Sequence, residues 1–161
     1  MWDKDYIYNL VNETVINVTK KVAGITLSPS PESAENFDTD WSVIKISISG
    51  MENECSFYYR AQPHVYRAIA EYMKRRPLES DEDMEIYIKE YFNILCGRIV
   101  SRLNRETKSS MRFGLPIYSE TGEAPWGDPM FRMCFECMGS DGIISITGVA
   151  KKVPLDTADT E

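Results

Sequence analysis

One segment constrains the fold of this 161-residue chain more than any other. Between Asp81 and Leu103, the residues Met84, Ile88, Tyr91, Phe92, Leu95, Ile99 and Leu103 recur at helical spacing. With successive residues about 100° apart, all of them fall within about 60° of Ile88. Such a stripe is the buried side of an amphipathic helix, and a helix of this length needs a broad apolar surface to lie against. The start is marked as well. Ser80 with Asp83 three residues on is an N-cap pattern, and Asp81, Glu82 and Asp83 suit the positive end of the helix dipole.

The remaining elements supply that surface. Ile44, Ile46 and Ile48 alternate with Lys45, Ser47 and Ser49, which predicts a half-buried strand from Trp41 to Ser49. Residues 50–53 form a turn, and Cys55 to Arg60 pairs back as a second strand. Phe113 to Tyr118 reads as a third. Met130 to Met138 and Ile143 to Val149 form a hairpin across residues 139–142, read as an Asp-Gly turn. Two further helices are expected. One spans residues 5–23, with Tyr6, Leu10, Val11, Thr14, Val15, Val18 and Val22 on one side and Gly24 as its stop. The other opens at Pro63 and ends by Pro77. Residues 28–40 and 120–129, rich in Pro, Gly, Ser and acids, are expected to be loops. Helices packed on a mainly antiparallel β-sheet satisfy this order best, giving an α+β fold. A single domain over 1–150 is expected, followed by an acidic tail over 151–161 that is expected to be disordered.

Composition narrows the function classes. A net charge of −7, with no basic cluster longer than Lys74-Arg75-Arg76, argues against a nucleic-acid partner. No apolar run approaches the roughly 20 residues that cross a bilayer, so no membrane is expected. The first residues carry acids where a secretory signal needs bases, which makes a cytoplasmic location the expectation. Of the four cysteines, only Cys134 and Cys137 form a CxxC. On a strand, residues three apart point to opposite faces, so Cys137 joins Phe131, Met133 and Phe135 while Cys134 sits with Arg132 and Glu136. The sole histidine, His64, is far away in sequence. Neither a metal site nor a disulfide is expected here. His64 reads as an N-terminal helix residue. Trp126 in its Gly/Pro loop reads either as a partner anchor or as a loop residue tucked onto the core.

The face of the long helix opposite its apolar stripe is unusual. Ile86, Glu90, Asn93 and Gly97 lie within about 40° of its centre. An exposed Ile gains nothing from water, Asn is a poor helix former, and mid-helix Gly costs about 1 kcal/mol relative to Ala. Such a face is arranged for a partner: Gly97 leaves room for a second surface, and Asn93 stands one turn and Glu90 two turns before it.

The stretch Glu90-Tyr91-Phe92-Asn93-Ile94-Leu95-Cys96-Gly97 resembles the ExxNxxxG helix of the CheX-type phosphatases in the CheC/CheX-like family. Gly114-Leu115-Pro116 is similar to the family's proline after that helix, and Ile46 to Gly50 with the strand and helix that follow fits the family's order. The resemblance runs from about Val43 to Tyr118, and loosely to Val149. It departs at Ile86, where the wider group often has Asp or Ser. CheC-like relatives can carry a second ExxN helix, but the first helix here offers Glu13 and Asn17, four apart, so one site is counted.

The resemblance implies a phosphatase that removes the aspartyl phosphate of a CheY-type response regulator. Asn93 would orient the attacking water. Glu90 would pair with the partner's lysine and dock the helix, while Ile86 and Gly97 would contact the partner. No cofactor of the chain's own is implied, because the divalent metal sits in the partner's active site. The resemblance also implies a homodimer formed through the sheet, for which the strand from Ile143 to Val149 is expected to offer an open edge. The alternative, favoured by Ile86, is a non-catalytic domain on the same fold that binds a signalling partner or dimerises.

Overall fold

A computed structural model describes residues 3–30, 41–50, 54–119 and 128–151. Helix α1 (Lys4–Ala23) leads to a short strand β1 (Leu27–Pro29), then the hairpin β2 (Ser42–Ser49) and β3 (Glu54–Ala61). Helices α2 (Pro63–Lys74) and α3 (Asp81–Thr107) follow, then β4 (Arg112–Phe113), β5 (Ile117–Ser119), β6 (Asp128–Cys137) and β7 (Ile143–Lys151). The seven strands form one antiparallel sheet in the order β1-β6-β7-β3-β2, with β4 and β5 both on the far side of β2. The α+β expectation holds.

The period-2 pattern decides which face meets the helices. Ile44, Ile46 and Ile48 of β2 stand beside Tyr59, Phe57 and Cys55 of β3, and Ile146 and Ile144 of β7 continue the row next to Met133 and Phe135 of β6. All are buried in one core with Ile7, Leu10, Val11 and Val15 of α1, Val65, Tyr66 and Ile69 of α2, and the apolar stripe of α3. The other face holds a small cluster of Val43, Tyr58 and Val149, with the Lys45 ammonium 5.5 Å above the Tyr58 ring.

Buried hydroxyls tie the layers together. The Tyr66 hydroxyl donates to the Ser42 carbonyl at 2.7 Å and the Tyr59 carbonyl at 3.1 Å. The Tyr91 hydroxyl lies 2.6 Å from Thr19 Oγ1 and 3.3 Å from the Tyr59 hydroxyl, joining α3 to α1 and to the sheet. Burial pushes the Tyr91 phenol up to about 12, and those of Tyr59 and Tyr66 well above their ordinary value. All three therefore stay protonated, and their hydrogen bonds persist at any working pH.

Several sequence expectations change. The loop expected over 28–40 begins with β1, which pairs Leu27 with Cys137 and Pro29 with Phe135; residues 31–40 lie outside the described ones. The single strand expected over 113–118 is two short strands. Gly114-Leu115-Pro116 interrupts the pairing with β2, and the Gly114 N–H donates to the Ser47 carbonyl at 2.9 Å. The hairpin turn is not a two-residue Asp-Gly turn. Positive φ falls at Gly139 (82°) rather than at Asp141 or Gly142, and the Cys137 N–H donates to the Gly142 carbonyl, closing a longer connection.

The strand β7 does not offer an open edge. It pairs with β6 on one side and with β3 along Glu54 to Ala61 on the other, so its backbone groups are satisfied. The sheet ends instead at β1 and at β4 with β5. Cys134 and Cys137 point to opposite faces as expected, but both are buried. Burial pushes the Cys137 thiol up to about 11 and Cys55 up to about 12. The tail from residue 152, the turn residues 51–53 and Trp126 lie outside the described residues, while Lys151 still belongs to β7.

Candidate functional site

The helix α3 is held along its whole length, which gives its outer face a fixed direction. At its start the Asp83 N–H donates to Ser80 Oγ at 3.1 Å, the expected N-cap. The Lys74 ammonium pairs with the Asp83 carboxylate and ties the end of α2 to the start of α3. That pairing lowers the Asp83 carboxyl from its usual range, with help from the Glu79 N–H, and raises Lys74. In the middle, Ile88, Tyr91, Phe92, Leu95, Cys96, Ile99, Val100 and Leu103 are buried. The Tyr59 ring meets Phe92 and Tyr91 edge-on at 5.6 and 5.7 Å. Towards the end, the Arg102 guanidinium reaches Glu13 at 3.0 Å and Glu106 at 3.5 Å, and the Tyr6 hydroxyl donates to Glu106 at 3.0 Å. Glu13 is thus engaged with α3 itself.

On the outer face the structure places the four singled-out residues along one line. Ile86 is 63% exposed, Glu90 and Asn93 are exposed, and Gly97 is half-buried. The side chains of Glu90 and Asn93 make no hydrogen bond or ion pair with any described residue. Three residues apart on a helix, they project from adjacent points of one face. An exposed carboxylate and an exposed amide, rigidly backed and without a polar partner among the described residues, can receive a cation and orient a water on a second molecule.

The open space at Gly97 is partly explained from within the chain. A Cβ built there would lie 3.5 and 3.9 Å from the Phe113 ring, ordinary van der Waals contact. Gly97→Ala is therefore expected to stabilise the fold by about 0.5–1 kcal/mol, the usual gain in a helix interior. Urea unfolding monitored by circular dichroism checks this. A loss of stability would mean that Phe113 cannot accept the added methyl.

The structure also assembles features that the sequence reading missed. Leu115 is 85% exposed and Ile117 is 63% exposed. Both belong to the interrupted edge next to α3. The signal was present in Gly114-Leu115-Pro116, since a proline inside a strand pattern marks an edge or a break. Beside Gly97, an open cleft of about 540 Å³ runs between the C-terminal half of α3 and β4. No local pattern announces it, because its two walls are brought together by β4 pairing with β2.

Among the described residues no helix is long and apolar enough to cross a membrane, and no three His, Cys, Asp or Glu gather into a metal-binding group.

No protein-family model matches this chain, and no curated protein matches it. Solved structures do. A chemotaxis protein CheX from Desulfovibrio desulfuricans superposes with a TM-score of 0.74 at 14% identity, covering 91% of this chain and 99% of that one. A CheC-like superfamily protein from Shewanella sp. PV-4 gives 0.74 at 19% identity, covering 94% and 100%. The chain of a CheX–CheY–BeF3–Mg complex from Borrelia burgdorferi gives 0.70 at 12% identity, covering 90% and 97%. Over nearly its whole length, this chain has the fold of the CheX and CheC-like chemotaxis proteins.

Proposed function

We propose that this chain is a phosphatase acting on the aspartyl phosphate of a CheY-type response regulator. The observation that carries the reading is the pair Glu90 and Asn93, exposed one turn apart on a buttressed helix, in a chain with the CheX fold. A CheX solved in complex with CheY supports the choice of partner class.

In this reading the partner supplies the acyl phosphate, a divalent metal and a lysine, and the chain needs no cofactor of its own. Water attacks phosphorus in line, the acyl–phosphate bond breaks, and the partner's carboxylate leaves with the bonding electrons while inorganic phosphate forms. Asn93 orients the water, because an amide both donates and accepts without taking charge. Glu90 receives the partner's lysine, and Ile86 and Gly97 lie against the partner's surface. Phosphoryl transfer depends mainly on such positioning and on electrostatics already in the partner. A cytoplasmic setting is part of the reading. Its test is a phosphate-release time course with a panel of phosphorylated regulators: acceleration of one or more supports it, and no acceleration of any removes it.

A second reading rests on Ile86. An exposed apolar residue one turn before Glu90 suits a surface that binds without hydrolysis. In that case a regulator binds, and its phosphate lifetime is unchanged.

A homodimer belongs to the proposal too. With β7 inside the sheet, the strand edges left for pairing are β1 and the β4–β5 side of β2. Sedimentation at high micromolar concentration is expected to show dimer, and monomer alone removes this part. If Ile117→Lys also gives dimer, the β5 edge is not the contact.

A further inference from the structure

We propose that the cleft beside Gly97 is a second contact of the same docking surface, taking an apolar side chain of the response regulator with a carboxylate next to it. The inference rests on the docking role of α3 proposed above and names a specificity site within it. The cleft has an apolar floor of Val100 and Met111, a wall of Phe113, and a rim of Ser101 and Arg112. It is built rather than accidental. The Asn104 side-chain amide donates to the Met111 carbonyl at 3.1 Å and its oxygen accepts the Met111 N–H at 2.7 Å, so one amide pairs with the backbone as a neighbouring strand would. This anchors Met111, and with it the start of β4, beside α3.

Position connects the cleft to Glu90 and Asn93. Asn93, Ser101 and Asn104 all lie within about 40° of the direction of Gly97 on α3, and Ser101 is about 12 Å along the axis from Asn93. A stable interface buries about 800 Å² on each partner, a disc of radius about 16 Å. A partner centred on Asn93 therefore covers the cleft. Exposed Ile86 lies two turns before Asn93 on α3, and exposed Leu115 and Ile117 lie on the strand edge next to α3, so apolar residues stand near the polar centre.

Charge sets the chemistry of the occupant. Arg112 is exposed at the rim and makes no ion pair with a described residue, whereas the stripe beyond Asn93 carries Glu90. The facing surface must be cationic opposite Glu90 and anionic opposite Arg112. This polarity fixes the direction in which a regulator lies along α3 and lets the chain distinguish one regulator from another.

The test uses the full chain with phosphorylated regulators for turnover and beryllofluoride-activated regulators for affinity. Ser101→Trp fills the cleft from an exposed position, and Arg112→Glu reverses its rim. Each is expected to raise KM and Kd about tenfold while kcat changes less than about twofold. Changing an acidic residue of the regulator to lysine should restore affinity to the Arg112→Glu variant. Wild-type KM and Kd in Ser101→Trp, alongside slow turnover in Asn93→Ala, overturn the cleft and leave the phosphatase reading standing. Failure of the wild type to bind or dephosphorylate any regulator removes both. A Ser101→Trp protein that changes from dimer to monomer assigns the cleft to contact between copies of this chain and overturns the proposal.

Discussion

Asn93→Ala is expected to slow dephosphorylation about a hundredfold while leaving affinity for the activated regulator within about threefold of wild type. The rate loss is what removing a group that positions a nucleophile typically costs. The small effect on affinity follows from geometry: Asn93 is exposed and its side chain makes no hydrogen bond with a described residue, and its neighbours on the face, Glu90, Ile86 and Gly97, remain. Glu90→Ala should behave differently. A charge-assisted hydrogen bond to a lysine is worth about 1.5–3 kcal/mol, so affinity should fall about ten- to hundredfold, and turnover with it. Gly97→Leu adds bulk at the same face and should weaken binding beyond either. Circular dichroism should show the fold intact in all three. Turnover of Asn93→Ala at the wild-type rate would remove the catalytic assignment and leave the binding-only reading in its place.

Tyr91→Phe is expected to destabilise the protein by about 1–3 kcal/mol, the cost of leaving buried polar groups without partners. The ring and its edge-on contact with Tyr59 survive the change, so the effect isolates the hydroxyl. That hydroxyl lies 2.6 Å from Thr19 Oγ1, and Thr19 is fully buried on α1. Its second neighbour is the Tyr59 hydroxyl at 3.3 Å, also in the core. The measurement is a lower urea midpoint with unchanged slope. Adding Thr19→Val to Tyr91→Phe should recover part of the loss, because replacing both polar partners by apolar groups of similar shape removes the unsatisfied hydroxyl. A double variant no more stable than Tyr91→Phe alone would show that the Thr19 contact is not the stabilising one.

The two experiments probe opposite sides of one helix turn, and the sequence made that turn legible. The stripe through Ile88, Leu95 and Ile99 faces the core, and Glu90, Asn93 and Gly97 face out, because on a helix angular position follows directly from residue number. The N-cap at Ser80 was legible for the same reason, since its hydrogen bond closes within three residues. Alternation likewise indicated that Ile44, Ile46 and Ile48 of β2 are buried, whereas β3 is buried on both faces from Cys55 to Tyr59, which no alternation indicated.

Contacts between residues distant in sequence were decided only by the tertiary structure. Alternation in β7 says which side chains point inward, but not that β3 lies along its second side and closes the edge that its hairpin position suggested. Leu27–Pro29 is too short to show a period, and becomes a strand only because β6 is there to pair with it. Buried Cys134 follows the same rule: its face is set by strand period, its burial by what surrounds that face. The cleft next to Gly97 exists because Asn104 fixes Met111 and β2 accepts β4, pairings that join separate parts of the chain. Local periodicity determined which side of each element is apolar and where the unusual outward face of α3 lies. Strand order, the free edges and the shape of the surface around Asn93 were set by long-range backbone pairing, whose specificity resides in how the elements meet and not in any one of them.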